Sequence, residues 1–257
     1  MNIKKTSMAV TAMIAAAVMA LAGCGSSSNS ADSSASSKKS DAFVLGGLWP
    51  ETGSLSYLAP PELAAEKLAV ADINAAGGVL GKDVTTVDAD TSDADHADQN
   101  SSATQSVMSK NPSFVIGPAS SSVVKNVYKT ITSAKVPMLS MGATSSDFSG
   151  LSPYFFRTVP PDSVQGAVLG QVIAQDGVKN LAIAAFNEEY GTGLRDTIAK
   201  TASDAGVNIV YGEKDAFDPT ETNFSSIVTA IKASNPDAIA IVAFDQTKSL
   251  VKELASQ

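Results

Sequence analysis

Phe114-Val115-Ile116-Gly117-Pro118-Ala119-Ser120-Ser121-Ser122 opens the stretch that decides the fold. Phe114, Val115 and Ile116 form a short β-branched and aromatic run, the composition of a strand. Gly117-Pro118 ends it. Val123, Val124, Val127 and Ile131 then recur at helical spacing behind three serines. Pro137 precedes a second apolar run, Met138-Leu139, which gives way to Gly142-Ala143-Thr144. This reads as strand, serine-capped helix, strand and small-residue loop. In a parallel α/β sheet both loops lie at the carboxyl edges of neighbouring strands, where ligands bind. A helix N-terminus with free N–H groups and hydroxyls accepts a carboxylate or phosphate. The plainer alternative, that one serine only caps the helix, stays open at this point.

Working outward, strands and helices alternate along the whole body. Residues 43–49 read as a buried strand. Residues 59–76 read as a helix entered through Pro60-Pro61, with Leu63, Ala64, Leu68, Val70, Ala71 and Ile73 on one face and Gly77-Gly78 at its end. Residues 84–89 alternate as a strand, a helix runs to about Lys110, and residues 154–158 form another strand. After Pro160-Pro161 the pattern starts again. Residues 162–175, 191–205, 223–233 and 247–257 read as helices, and residues 181–186, 207–211 and 238–244 as strands. Asp162 is the expected cap of the first of these helices. The alternation predicts an α/β fold with parallel sheets in two Rossmann-like lobes, hinged near residues 159–162. The expected boundaries are 41–160 for lobe 1 and 161–257 for an incomplete lobe 2.

The start of the chain is of another kind. Lys4-Lys5 precedes a short apolar run over residues 8–21, the pattern of a signal peptide and too short for a membrane span. Leu21-Ala22-Gly23-Cys24 resembles the bacterial lipobox, which predicts lipidation of Cys24 and a signal peptide over 1–23. The alternative is an ordinary secretory signal with an incidental cysteine. Residues 24–40 are serine-rich and of low complexity, as a disordered tether is. One lipid holds a body at a membrane surface without spanning it. Cys24 is the only cysteine, so no intrachain disulfide and no cysteine metal site can form.

The charge balance narrows the function. The net charge is −8, and without residues 1–23, which carry Lys4 and Lys5, it is −10. An acidic body argues against nucleic acid, which needs a basic face. Neither a Gly-x-Ser-x-Gly elbow nor a phosphate loop occurs. With one histidine and one lipid-bound cysteine, triad chemistry is poorly supplied, so an enzyme comes last. His96 has only Asp93, Asp95 and Asp98 near it and reads as a solvated helix start rather than a metal ligand. No metal or cofactor is expected. Arg157 reads as a structural partner of a carboxylate such as Asp162. Trp49 is open between core and pocket.

The motifs resemble one family in this order. Ala69-Val70-Ala71-Asp72-Ile73-Asn74-Ala75-Ala76-Gly77-Gly78-Val79 is similar to a helix end of the leucine/isoleucine/valine-binding proteins, the receptors of ABC importers. Residues 114–122, Val136-Pro137-Met138-Leu139-Ser140 with Gly142-Ala143-Thr144, Phe156-Arg157-Thr158 with Asp162 and Gln165-Gly166, and Glu189-Tyr190-Gly191 resemble that family too. The resemblance covers about residues 42–257. It implies the type I periplasmic-binding-protein fold, two lobes closing on a branched-chain amino acid, and an ABC permease as partner. Carried over by position, Ser121 takes the carboxylate, and Gly142, Ala143 and Thr144 bind the amino-acid head. Tyr190 and Phe244 form an aromatic wall. Leu58 stands where the family often has an aromatic residue, with Tyr57 beside it. The acidic partner for the ammonium falls beyond residue 257, so the chain is expected to be a fragment of a longer receptor. The alternatives are a receptor of the same fold for short amides, urea or another small polar solute, and a sensor feeding a signalling partner.

Overall fold

β1 (Val44–Trp49) lies at the centre of the first sheet, paired in parallel with β2 (Thr85–Asp90) on one side and β3 (Phe114–Ile116) on the other. β4 (Met138–Ser140) and β5 (Phe155–Arg157) extend the sheet, giving the order β2-β1-β3-β4-β5. Helices α1 (Ala59–Ala75), α2 (Ala97–Met108) and α3 (Ser121–Ser133) make the crossovers. The chain then passes through Pro160-Pro161 into α4 (Asp162–Gln175). A second parallel sheet, ordered β7-β6-β8, follows from β6 (Asn180–Ala185), β7 (Asn208–Tyr211) and β8 (Ala238–Val242). Its helices are α5 (Glu189–Asp204), α6 (Ser225–Ala233) and α7 (Gln246–Ser256). This computed structural model describes residues 42–257. The signal peptide, Cys24 and tether expected from the sequence lie outside the described residues.

Each sheet has its own core, built where its central strands meet the crossover helices. Leu48, Val107, Val115, Val124, Ile131, Met138 and Phe155 pack around the first sheet. Along β6 the side chains alternate: Leu181, Ile183 and Ala185 face Leu194 and Ile198, while Ala182, Ala184 and the adjoining Phe186 face Phe217, Val228 and Ile231. Small residues bring two helices together. Gly166 and Gly170 of α4 sit against α5, where a Cβ would come within 2.6 Å of Thr197 and 2.7 Å of Thr201.

Three local expectations are corrected. α1 does not bury one apolar stripe. At 100° per residue Leu63 and Val70 share a side with buried Ala59 and Glu66, whereas Ala64, Leu68 and Ala71 project from the opposite side. Leu68 is 64% exposed and Ile73 41% exposed. Asp162 does not cap α4; Pro161 holds the cap position without a side-chain bond, and Asp162 is the first helical residue. Arg157 does not pair with Asp162. Its guanidinium donates instead to the carbonyls of Ala143 and Ser145 and to Ser149 Oγ.

Candidate functional site

In a sheet ordered β2-β1-β3-β4, the connection after β1 runs to β2 and the one after β3 runs to β4, in opposite directions, so the loops after β1 and β3 part to form a crevice. In the second sheet β6 stands between β7 and β8, so the loops after β6 and β8 lie at one edge. Loops of the two sheets line one cavity of about 270 Å³. Leu55, Tyr57 and Leu58 from the loop after β1, and Ala119 to Ser121 from the loop after β3, line one side. Gly142 and Thr144 come from the loop after β4, Gln165 from α4, Tyr190 from α5, and Ala243 and Phe244 from the end of β8.

The serine run divides its work. Ser120 is the cap of α3: its backbone is extended and its Oγ accepts from the Val123 N–H at 3.4 Å. Ser121 is the first residue of the helix, and its Oγ accepts from the Ser145 N–H at 3.2 Å. A hydroxyl that already accepts keeps its own hydrogen to donate. The N–H groups of this first turn point out of the helix end, so the polar side of the cavity offers donors. Ser140 Oγ ties the neighbouring loop in place, donating to the Pro118 carbonyl at 2.5 Å and accepting from the Ala143 N–H at 3.0 Å. Gly142 lets this loop approach the one after β3, since a Cβ there would stand 2.9 Å from the Ala119 carbonyl oxygen.

The opposite wall is aromatic. Tyr190 and Phe244 stack with ring centroids 5.6 Å apart and planes 8° from parallel. Phe186 supports both edge-on, at 4.7 Å from Phe244 and 6.2 Å from Tyr190. Burial pushes the Tyr190 phenol above its usual range.

A polar bridge ties the start of α3 and the loop after β4 to the start of α5. Ser122 Oγ donates to Glu188 Oε2 at 3.1 Å and accepts from the Glu189 N–H at 3.1 Å. Ser145 Oγ donates to Glu189 Oε1 at 2.9 Å, and Lys125 pairs with the same carboxylate. Burial raises the Glu188 carboxyl to about 7, against the Ser122 hydrogen bond and with help from the charges of Asp95 and Asp93. Because the folded value lies above the unfolded one, the folded chain holds the extra proton between the two, and stability falls as pH rises through that window. Glu188→Gln therefore gains melting temperature relative to the parent between about pH 5 and about pH 8. Thermal unfolding followed by circular dichroism at the two pH values checks this, and an unchanged difference would refute it.

Five of the residues singled out in the sequence come together here: Ser121, Gly142, Thr144, Tyr190 and Phe244. Ala143 does not line the cavity; its side chain is fully buried in the first core. Trp49 is also away from it, buried, with Nε1 donating to Asp88 Oδ1 at 3.1 Å. His96 is an exposed partner of Asp93 at 2.6 Å. Among the described residues no group of three or more His, Cys, Asp or Glu is placed to hold a metal ion. Sequence reasoning missed Leu55, Ala119 and Ala243, which sit in irregular loops with no periodic signal.

A family model described as periplasmic binding protein matches residues 43–257. The Leu/Ile/Val-binding protein BraC3 of Rhizobium johnstonii is 30% identical over 201 residues, 77% of this chain and 53% of its own length. A leucine-, isoleucine-, valine-, threonine- and alanine-binding protein of Pseudomonas aeruginosa is 26% identical over 94% of this chain and 62% of its own. The chain thus spans about half the length of the curated relatives it matches. Among solved structures, the branched-chain amino acid transporter substrate-binding protein LivJ of Streptococcus pneumoniae, in complex with isoleucine, superposes with a TM-score of 0.74. It is 27% identical, covering 84% of this chain and 61% of that one. A solute-binding protein of an R. palustris ABC transporter, in complex with 4-hydroxybenzoate, shares the fold at a TM-score of 0.76 and 23% identity, over 84% of this chain and 58% of its own.

Proposed function

This chain belongs to the periplasmic binding protein family, and from that premise we propose that it is the extracytoplasmic solute receptor of an ABC importer, taking a branched-chain or other small apolar amino acid. The observation that carries this reading is the cavity with two unlike walls. Hydroxyl and N–H donors at the start of α3 face a carboxylate, and the stacked Tyr190 and Phe244 rings face an apolar side chain. A volume of about 270 Å³ suits a ligand of amino-acid size, below the usual range of about 300–1,000 Å³ for larger ligands. Ser121, Gly142, Thr144, Tyr190 and Phe244 are the proposed contacts.

In this reading residues 41–160 and 161–257 are the two lobes, and residues 159–162 are the hinge about which they close. The receptor docks on a permease, and a lipid on Cys24 holds it to the membrane through the serine-rich tether. No helix among the described residues is long and apolar enough to cross a membrane. The receptor binds and delivers its ligand; it performs no chemistry on it.

The second reading, a small aromatic acid, is favoured by the stacked aromatic wall. Calorimetric titration with leucine, isoleucine, valine, 4-hydroxybenzoate and acetamide separates the readings. Saturable heat from a branched-chain amino acid supports the first. Heat from the benzoate alone moves the assignment to aromatic acids, and heat from the amide alone to small polar solutes.

A further inference from the structure

Glu188 stands at the cap position of α5, yet its side chain makes no capping bond to that helix. It turns instead to the start of α3, where Ser122 Oγ donates to Oε2 at 3.1 Å, a contact between residues 66 apart in the chain. The same hydroxyl accepts from the Glu189 N–H at 3.1 Å, so this seat exists only while the start of α3 lies against the start of α5. Glu188 is 9% exposed. Its other neighbours are acidic. Asp93 and Asp95, which follow β2, act on it with like charge. Asp95 in turn is raised by burial and by the charges of Asp93 and of Asp218 from the loop after β7. Glu221 and Asp245 of the second lobe line a neighbouring cavity of about 330 Å³ with Asp93, Asp95 and His96. The cations at this face are committed to other carboxylates: Lys125 pairs with Glu189, and His96 with Asp93 at 2.6 Å. A buried carboxyl among like charges costs more as an anion than as a neutral acid.

Resting on the reading above, we propose that Glu188 is a proton-operated latch on lobe closure: the lobes come together on a neutral Glu188 and part to release its anion to water, so that ligand binding takes up a proton from solvent. The neutral acid keeps its place, since its carbonyl oxygen still accepts the Ser122 hydrogen. In the closed arrangement burial, the larger effect, and the charges of Asp95 and Asp93 raise the carboxyl from 4.5 to about 7, against the Ser122 hydrogen bond. Opening returns it to water and toward its ordinary value. The closed form therefore holds the extra proton between the two values, and affinity falls as pH rises through that window and levels off above it. His96 acts in the same direction. Its hydrogen bond to Asp93 raises its own value, and when it loses its charge the acidic field around Glu188 grows. Capture is thus favoured in acid surroundings and release in neutral ones.

The test is calorimetric titration of the full chain with leucine in pairs of buffers that differ in ionisation heat, which counts the protons taken up on binding. At about pH 6 the parent takes up about one proton per leucine, and its affinity falls by about ten- to hundredfold from about pH 5 to about pH 8. Glu188→Gln, which keeps an acceptor for Ser122 and carries no charge, loses most of the uptake and most of the fall. Ser122→Ala removes the bond that favours the anion, so its affinity goes on falling beyond about pH 7. Glu62, Glu66 and Asp162 are the same in parent and variants, so the differences isolate Glu188. A parent without proton uptake, a Glu188→Gln variant that keeps the parental uptake, or a Ser122→Ala profile that levels off where the parent's does overturns the inference and leaves the receptor reading standing. Failure to bind leucine, isoleucine or valine at either pH overturns the receptor reading, and the inference with it.

Discussion

Phe186→Ala lowers the stability of the folded chain by about 3–5 kcal/mol, the range for emptying a large aromatic site in a close-packed core. Phe186 is fully buried at the end of β6 and belongs to the second core of that sheet, with Phe217, Val228 and Ile231. Its N–H donates to the Val242 carbonyl at 3.1 Å, which keeps the backbone pinned after truncation and leaves a cavity rather than a collapse. The ring also stands 4.7 Å from Phe244, 6.2 Å from Tyr190 and 6.4 Å from Phe217, so three aromatic contacts go with it. Urea unfolding is expected to show a lower midpoint with an unchanged slope. Phe186→Leu fills most of the space and costs less than about 1.5 kcal/mol. Because Tyr190 and Phe244 rest on this ring, ligand affinity falls in the alanine variant even at temperatures where it stays folded. A loss below about 1 kcal/mol would show that the aromatic cluster is not packed as described.

Ser121→Ala weakens binding of the amino-acid ligand by roughly ten- to hundredfold. The hydroxyl serves twice. It accepts the Ser145 N–H at 3.2 Å, and in the proposed site its own hydrogen is left to donate to the ligand carboxylate. Alanine leaves the ligand carboxylate short of a donor and the Ser145 N–H without its acceptor. The neighbouring serine makes the control. Ser120 caps α3 through Val123, so Ser120→Ala costs about 1 kcal/mol of stability and changes affinity little. Calorimetry and thermal unfolding on the two variants separate the roles. If Ser120→Ala lost the ligand and Ser121→Ala kept it, the carboxylate assignment would have to move one residue.

The polar bridge bears on both results. Ser122, Ser145 and Lys125 of the first lobe meet Glu188 and Glu189 at the start of α5. It ties the elements that carry Ser121 and Thr144 to the helix that carries Tyr190. The pH dependence expected of Glu188 therefore reports on the closeness of the two lobes as well as on a single carboxyl.

Much of this was legible in the chain itself. The alternation of strand and helix, the parallel sheets, the restart after Pro160-Pro161 and the placing of the cavity-lining loops at the strand ends all follow from local periodicity and turn chemistry. These depend on neighbours a few residues apart, which a sequence records directly. The range of α4, residues 162–175, follows from the same signals. Other features depend on residues far apart in the chain, and only the tertiary structure decided them. That Ser121, beside the capping Ser120, is held by the neighbouring loop turns on the Ser145 N–H, 24 residues away. The contact of Ser122 with Glu188 spans 66 residues. The outward face of α1 depends on which side its sheet lies, and a helix apolar on several sides does not encode that choice. Asp162, read as an ordinary cap, proved to be fully buried beside Thr144, its carboxyl oxygens without a hydrogen-bond partner. Its burial is set by the loop after β4 and by α5 closing around it, and no pattern at its own position carries that information.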